Sequence, residues 1–350
     1  MKTEVFRGYT ARHAGMMKPG SAPAKGALIV MNPRKAAVIG CGNVGASIAF
    51  SLMQQSLFRE IVLLDASHAK AEGEAMDLGH GLPYTASMDI YAGSYQDVGD
   101  CALIIITAGA GQKPGETRLE LIGRNVAILT SIIGSIKKTS FSGILLIVSN
   151  PVDILTYEAQ RLSGYPASRV IGSGTVLDTA RLKYQLGRQL GVDSRSVHAM
   201  IVGEHGDSEL AVFSGANVTG IDLTHFCALL GHGDIDLNRI YERVRDSAYA
   251  IIKRKGATYY GIAMAVARIA AAIVRDEHAV LPVSTVLGGE YGLSGLALSI
   301  PSIIGKDGVE AVLEIPLSER ERSALSDSAA QLRRVIATLE HQTETPPERG

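Results

Sequence analysis

From Ala36 onward the chain alternates short, wholly apolar runs with segments of helical periodicity. Ala36 to Ile39 is apolar, Val44 to Ser56 repeats apolar residues at helical spacing, and Ile61 to Leu64 is apolar again. This predicts a strand, a helix and a second strand. Apolar runs at Leu103 to Thr107 and Leu145 to Ser149, separated by helical periodicity from Arg118 to Lys137, continue the alternation. Runs without polar interruption fit strands buried on both faces, so the first half reads as a mostly parallel, doubly wound α/β sheet. After about Gly174 the pattern predicts a helix through Arg188, a strand at Val197 to Val202, and helices at Leu237 to Lys253 and Gly261 to Val274. Val280 to Leu287, Leu296 to Ile303 and Gly308 to Ile315 predict a terminal meander, and Ser318 to Glu340 a closing helix. The expected organisation is an extension at 1–33 that reads as disordered, a nucleotide-binding domain at 34–173, a second α/β (α+β) catalytic domain at 174–342, and a polar tail at 343–350.

A chain of 350 residues, 46% of them apolar, is long enough for a large core. A net charge of -1 with scattered basic residues gives no nucleic-acid footprint, which leaves a small-molecule partner. Cys41, Cys101 and Cys227 are odd in number and far apart, without metal-ligand spacing, so neither a disulfide framework nor a metal site is expected, and a reducing cytoplasm fits. The longest apolar runs, Cys101 to Ala110, Gly143 to Val148 and Gly261 to Val274, fall short of the roughly 20 residues that span a bilayer. No membrane segment is expected.

Gly40-Cys41-Gly42-Asn43-Val44-Gly45 follows the first strand and opens a helix. Gly40, Gly42 and Gly45 at that junction suit a tight turn and the approach of a pyrophosphate to free helix amides, the arrangement of a Rossmann domain. Asp65, twenty positions beyond Gly45 at the end of the next strand, can accept hydrogen bonds from a ribose diol. It would also repel the additional phosphate of NADP, so NAD is the expected cofactor. An ordinary strand-to-helix turn with a capping aspartate is the plainer alternative. Cys41 serves as a small residue.

His205, in Gly203-Glu204-His205-Gly206-Asp207, stands at a strand end on a glycine-flanked loop and suits proton exchange near neutral pH. Asp178 and Arg181 are three apart on a helix and share a face. They form either a surface ion pair or, more pointedly, a carboxylate that orients His205 and a guanidinium that grips a substrate carboxylate. Asn150 ends another strand where ligands of such folds bind, or simply begins the turn before Pro151. Gln112 to Arg118 is a polar loop with a Pro-Gly turn, a lid that delivers the Arg118 cation while presenting a neutral amide at Gln112.

Together these residues resemble the L-lactate dehydrogenase family of the lactate/malate dehydrogenases, in its bacterial form, across nearly all of Ala36 to Glu340. The matching motifs are Gly-x-Gly-x-Val-Gly at 40–45, Gln-Lys-Pro-Gly-Glu-Thr-Arg at 112–118, Ser-Asn-Pro-Val-Asp at 149–153, Asp-Thr-Ala-Arg at 178–181 and Gly-Glu-His-Gly-Asp at 203–207. Lys-Gly-Ala-Thr-Tyr-Tyr-Gly at 255–261 also looks like the family's substrate-pocket helix. The resemblance implies reversible NADH-dependent reduction of pyruvate to L-lactate, the last step of fermentative glycolysis. His205 would be the acid/base, Asp178 its partner, Arg181 the carboxylate anchor and Arg118 the cation that polarises the carbonyl. Asn150 would contact carbonyl and cofactor, and Thr258 would border the pocket. Val44, Asp65, Lys70, Tyr95, Gly109, Ala110, Ser131 and Val148 would lie along the cofactor.

By the same resemblance the chain would be a homotetramer. Lys183 and His198 occupy the positions where bacterial members bind fructose 1,6-bisphosphate, with lysine in place of the family's arginine. Lysine keeps the charge and loses the bidentate fork. Malate dehydrogenase, or another 2-hydroxy acid dehydrogenase, is the nearest alternative, but oxaloacetate needs a further cation where Gln112 is neutral. A non-catalytic NAD-binding protein would have no physical need to keep Arg118, Asp178, Arg181 and His205 together.

Overall fold

The computed structural model describes residues 31–111, 115–231 and 235–344. In chain order the first part comprises β1 (Asn32–Ile39), α1 (Asn43–Gln54), β2 (Glu60–Leu64), α2 (His68–Gly81), β3 (Asp89–Ala92), β4 (Cys101–Ile106), α3 (Arg118–Ile136), β5 (Ile144–Ile147), α4 (Val152–Ser163) and β6 (Val170–Gly172). There follow α5 (Val176–Leu190), β7 (Val197–Val202), β8 (Leu210–Val218), β9 (Ile221–Asp222), α6 (Leu223–Leu229), α7 (Leu237–Arg245), α8 (Ser247–Lys255) and α9 (Tyr260–Val274). β10 (Ala279–Gly288), β11 (Ser294–Gly305), β12 (Gly308–Val312) and α10 (Glu319–Glu344) complete the chain.

Strands β1 to β6 run parallel in the order β3-β2-β1-β4-β5-β6, the doubly wound order expected of a dinucleotide fold. Its central strands are apolar because both faces are covered. Ala36 and Val38 pack into the layer with α1 and α9, whereas Ala37 and Ile39 pack into the opposite layer with α3 and α4. The two-residue alternation of the pleat thus feeds two cores from one strand. α9 is alanine-rich, and Ala263, Ala267 and Ala270 bury almost completely, which lets it lie close against α1.

The expected meander exists but does not stay within a separate lobe. β10 pairs antiparallel with β6 through Ser284 and Gly172, and β11 and β12 follow, extending the sheet to nine strands. β7, β8 and β9 form a separate three-stranded sheet packed on α5, α6 and α7. The single helix expected at Leu237 to Lys253 is two, α7 and α8, which meet at Asp246. α7 buries Ile240 and Val244, while α8 buries no residue, so nothing holds the second segment in the packing register of the first.

α3 spans 19 residues and is long and apolar enough, by length and composition, to cross a membrane, a candidate that the run-by-run reading overlooked. It is a core helix of this fold: Leu129, Ile132, Ile133 and Ile136 pack on the sheet and Arg118, Glu120 and Arg124 occupy its start. Within β1, the Lys35 ammonium, with its side chain 8% exposed, sits 2.9 Å from both Glu60 and Asp100. Burial acts against that charge, but the two carboxylates outweigh it and raise the Lys35 pKa. Removing one member of such a set strands the others. Lys35→Ala should therefore destabilise the fold by roughly 2 to 4 kcal/mol, read as a fall in Tm by calorimetry; an unshifted Tm would show the pair to be energetically neutral.

Candidate active site

The parallel strands β1, β4 and β5 deliver three loops to one edge of the sheet, where such folds bind ligands. Gly40 has φ +104 and an added Cβ would fall 2.6 Å from the Ala108 amide nitrogen, so this turn tolerates no side chain. At Gly45 an added Cβ would lie 1.9 Å from the Gly40 oxygen, which locks α1 against the turn. Gly42, the N-cap of α1, faces open space. The residues present therefore fit a dinucleotide pyrophosphate laid over the free amides of α1.

Asp65 stands at the end of β2, as expected. Its carboxylate accepts from the Cys41 amide at 2.8 Å and the Ser67 amide at 3.0 Å, so it also ties the glycine loop to the turn before α2. Cys41 is buried, and burial pushes its thiol up to about 12, which leaves it a space-filling residue. Val44 in α1 packs against the core, Val148 is buried just after β5, Tyr95 is half-buried against the opposite core, and Lys70 is exposed on α2. Ser131 is exposed on α3, about 9 Å beyond Asn125 at the helical rise, outside the group of crossing loops.

Asn125, which sequence reasoning missed, joins two of those loops. Its buried side-chain oxygen accepts from the Ala110 amide at 2.8 Å, and its nitrogen donates to the Asn150 carbonyl at 2.9 Å. Gly109, Ala110 and Asn150 are thereby held at one place. Ser149 adds a bond to the Ala108 carbonyl at 2.6 Å and Thr107 one to the Gly40 carbonyl at 2.6 Å. A polar residue among the apolar positions of α3 was the available signal.

Gln112 lies outside the described residues. The flanks of its loop are defined: Arg124 donates to the Gly111 carbonyl and to Glu116, each at 2.8 Å. Thr117 then caps α3 reciprocally with Glu120, a Thr-x-x-Glu box that fixes Arg118 as the first helical residue. The Arg118 side chain is 64% exposed and rests 3.1 Å from Glu204, whose own side chain is 7% exposed.

At the end of β7, Nδ1 of His205 is 2.6 Å from Asp178 Oδ2. Arg181 donates to the other oxygen of the same carboxylate at 2.8 Å. This ion pair is no surface feature, since Asp178 and Arg181 side chains are 3% and 14% exposed. Burial alone would raise the Asp178 carboxyl, but His205 and Arg181 hold it below the usual range. For His205, burial disfavours the cation, yet Asp178 and then Asp153 outweigh it and push the imidazole up to about 9. Thr258 is half-buried just before α9, whose Gly261 abuts Leu177 beside Asp178. Lys183 and His198 line a separate cleft of about 1250 Å³ together with Arg195 and Arg268.

Comparison with known proteins shows the same family at both halves of the chain. The profile of the lactate/malate dehydrogenase NAD binding domain matches residues 34–172, and that of the lactate/malate dehydrogenase alpha/beta C-terminal domain matches 175–343. An L-lactate dehydrogenase of Acetivibrio thermocellus is 48% identical over 309 residues, covering 88% of this chain and 98% of that protein. One from Priestia megaterium is 50% identical over 301 residues, 86% and 95% of the two chains. The crystal structure of a lactate dehydrogenase from a Medee basin deep-sea metagenome superposes with a TM-score of 0.86 at 46% identity, covering 88% and 99%. The ligand-bound minor L-lactate dehydrogenase of Enterococcus mundtii gives 0.85 at 42%, covering 87% and 98%.

Because Asn125 satisfies two loop groups at once, Asn125→Ala should cost about 1 to 3 kcal/mol of stability and weaken NADH binding. Fluorescence titration with NADH together with a melting curve tests this, and wild-type values in both would refute the bracing role.

Proposed function

The chain belongs to the lactate/malate dehydrogenase family, and from that premise we infer that it interconverts pyruvate and L-lactate with NAD as cofactor. The observation that carries the mechanism is the buried Asp178 carboxylate shared by His205 and Arg181. With Nδ1–H donated to Asp178, the other ring nitrogen is left to give a proton to the substrate oxygen in reduction and to take one back in oxidation. Arg181 has donors beyond the one engaged with Asp178, and its fork suits the substrate carboxylate. When bound, NADH supplies the hydride. Gly40, Gly42 and Gly45 would receive its pyrophosphate and Asp65 its ribose diol, with Val44, Gly109, Ala110, Val148 and Asn150 alongside.

Arg118 acts last. From its resting contact with Glu204 it would move with the closing loop to the carbonyl oxygen, so its charge arrives as water leaves and as negative charge develops. Gln112 from the same loop would face the substrate side chain, and Thr258 would border it. A neutral amide there suits the methyl group of pyruvate, whereas the second carboxylate of oxaloacetate would be buried without a partner. This is the basis for preferring lactate to malate.

The finer inferences are a cytoplasmic homotetramer and activation by fructose 1,6-bisphosphate. The cleft holding Lys183, His198, Arg195 and Arg268 supports an anionic effector. Burial lowers the Lys183 pKa, a penalty that a bound phosphate would offset.

His205 carries its proton below about 9 and loses it above. Pyruvate reduction, which consumes that proton, should therefore fall as pH rises through this value while lactate oxidation gains, and His205→Ala should slow both directions by about 10²–10⁴-fold. Retention of near-normal rates in that variant across pH would refute the assignment. A steady-state panel of 2-oxo acids, with and without the sugar bisphosphate, should show pyruvate preferred to oxaloacetate, the order reversed in Gln112→Arg, and a lower pyruvate KM with effector. A wild-type preference for oxaloacetate contradicts the role of Gln112, and a flat effector response removes the activation reading.

A further inference from the structure

Asp153, in the first turn of α4, is 2% exposed and touches neither substrate nor cofactor in the chemistry above. Its Oδ2 accepts the backbone N–H of His205 at 2.7 Å, and its Oδ1 faces the Ser299 hydroxyl of β11 at 3.4 Å. Ser299 is itself bridged to Gly203 by two backbone hydrogen bonds of 2.9 and 3.1 Å. The catalytic loop is thus tied at residues 203 and 205 to β11 and to α4, and one tie runs through a buried anion. A brace alone has no use for that charge. A neutral amide oxygen would accept the same N–H, whereas burying a carboxylate costs several kcal/mol unless a cation compensates.

The compensating cation is the imidazolium of His205, the residue whose backbone N–H the carboxylate accepts. We propose that Asp153 is a positioning residue that acts through its charge, joining Asp178 in holding the His205 imidazolium charged while it fixes the main chain that carries the ring. The inference rests on the reading of His205 as the acid/base. The other group acting on the imidazole is Glu209, just before β8; around this set stand Arg181 of α5, which acts on Asp178 and Glu209, and Glu204 in the loop, which acts on Asp153 and pairs with Arg118 of α3. Glu209 differs from Asp153. Burial and the Asp178 charge push its carboxyl up to about 8, so it is uncharged through the neutral range and joins the anions around the ring only as His205 itself begins to titrate. Its Oε1 has no hydrogen-bond partner among the described residues. Burial pushes Asp153 up only to about 6, against the lowering effects of the Ser284 hydroxyl and then the His205 amide, so it is ionised wherever the enzyme must decide whether His205 keeps its proton.

The test separates charge from bracing. Asp153→Asn keeps an oxygen for the His205 N–H and can donate its amide to Ser299, but it removes the anion. With less stabilisation of the imidazolium, the alkaline limb of kcat/KM for pyruvate at saturating NADH should move to lower pH by roughly half a unit or more, with kcat on the acid side of that limb retained. A folded variant whose limb stays where it is in the wild type overturns the proposal; so does one that loses kcat at every pH without moving the limb. Neither outcome touches the acid/base assignment, which stands or falls with His205→Ala. Should the Asn variant fail to fold, ¹³C spectra of aspartate-labelled wild-type protein supply the second reading. One aspartate carboxyl should titrate near 6 and shift again as His205 deprotonates near 9, and the absence of that second step overturns the proposal.

Discussion

A single buried carboxylate, Asp178, must satisfy two cations at once, and much of the molecule is arranged to keep it there. His205 arrives from the end of β7 and Arg181 from the next turn of α5, and each takes one oxygen. Taken out of water alone, such a carboxylate would bind a proton and neither orient nor charge the imidazole. With both partners in place it remains an anion, and the ring above it is basic enough to hold a proton through the neutral range. The two elements that carry these groups, α5 and β7, pack against each other through Leu182, Leu186 and Ile201, so apolar burial sets the geometry that electrostatics then uses.

Most of this was legible wherever cause and residue lie close together in the chain. Fully apolar runs marked strands buried on both faces, and the glycine spacing after β1 marked a turn that admits no Cβ. The separation of Asp178 and Arg181 by three positions placed them on one helical face. What escaped was long-range. Asn125 matters because Ala110 and Asn150 happen to cross beside it, and Asp153 because the loop after β7 folds over α4. No local periodicity encodes a contact between residues separated by 52 positions. The extension of the first sheet by β10, β11 and β12 was missed for the same reason, since strand order is decided by which edges remain to be paired and a meander reads alike wherever it docks.

The elements around the site differ in how firmly they are held. Asn125, Ser149 and Thr107 stitch the cofactor loops to the sheet with bonds buried or half-buried from water. Arg118, by contrast, is mostly exposed and rests on Glu204 by one bond, at the N-terminal end of a helix held by its buried face. The guanidinium of that contact stands in water while its carboxylate partner is buried, and Glu204 keeps a second bond from the Ser208 hydroxyl.

The pairing of β10 with β6 carries a mechanical consequence. The strand that ends the cofactor half and the meander that closes the catalytic half share one hydrogen-bonded ladder, and Gly203 is bridged to Ser299 of that same meander. A hinge that swung one half away from the other would have to break backbone bonds within the core. The loop that carries His205 thereby takes its place from strands continuous with the parallel sheet, so a shift in one half is felt by the other through main-chain bonds rather than through side chains.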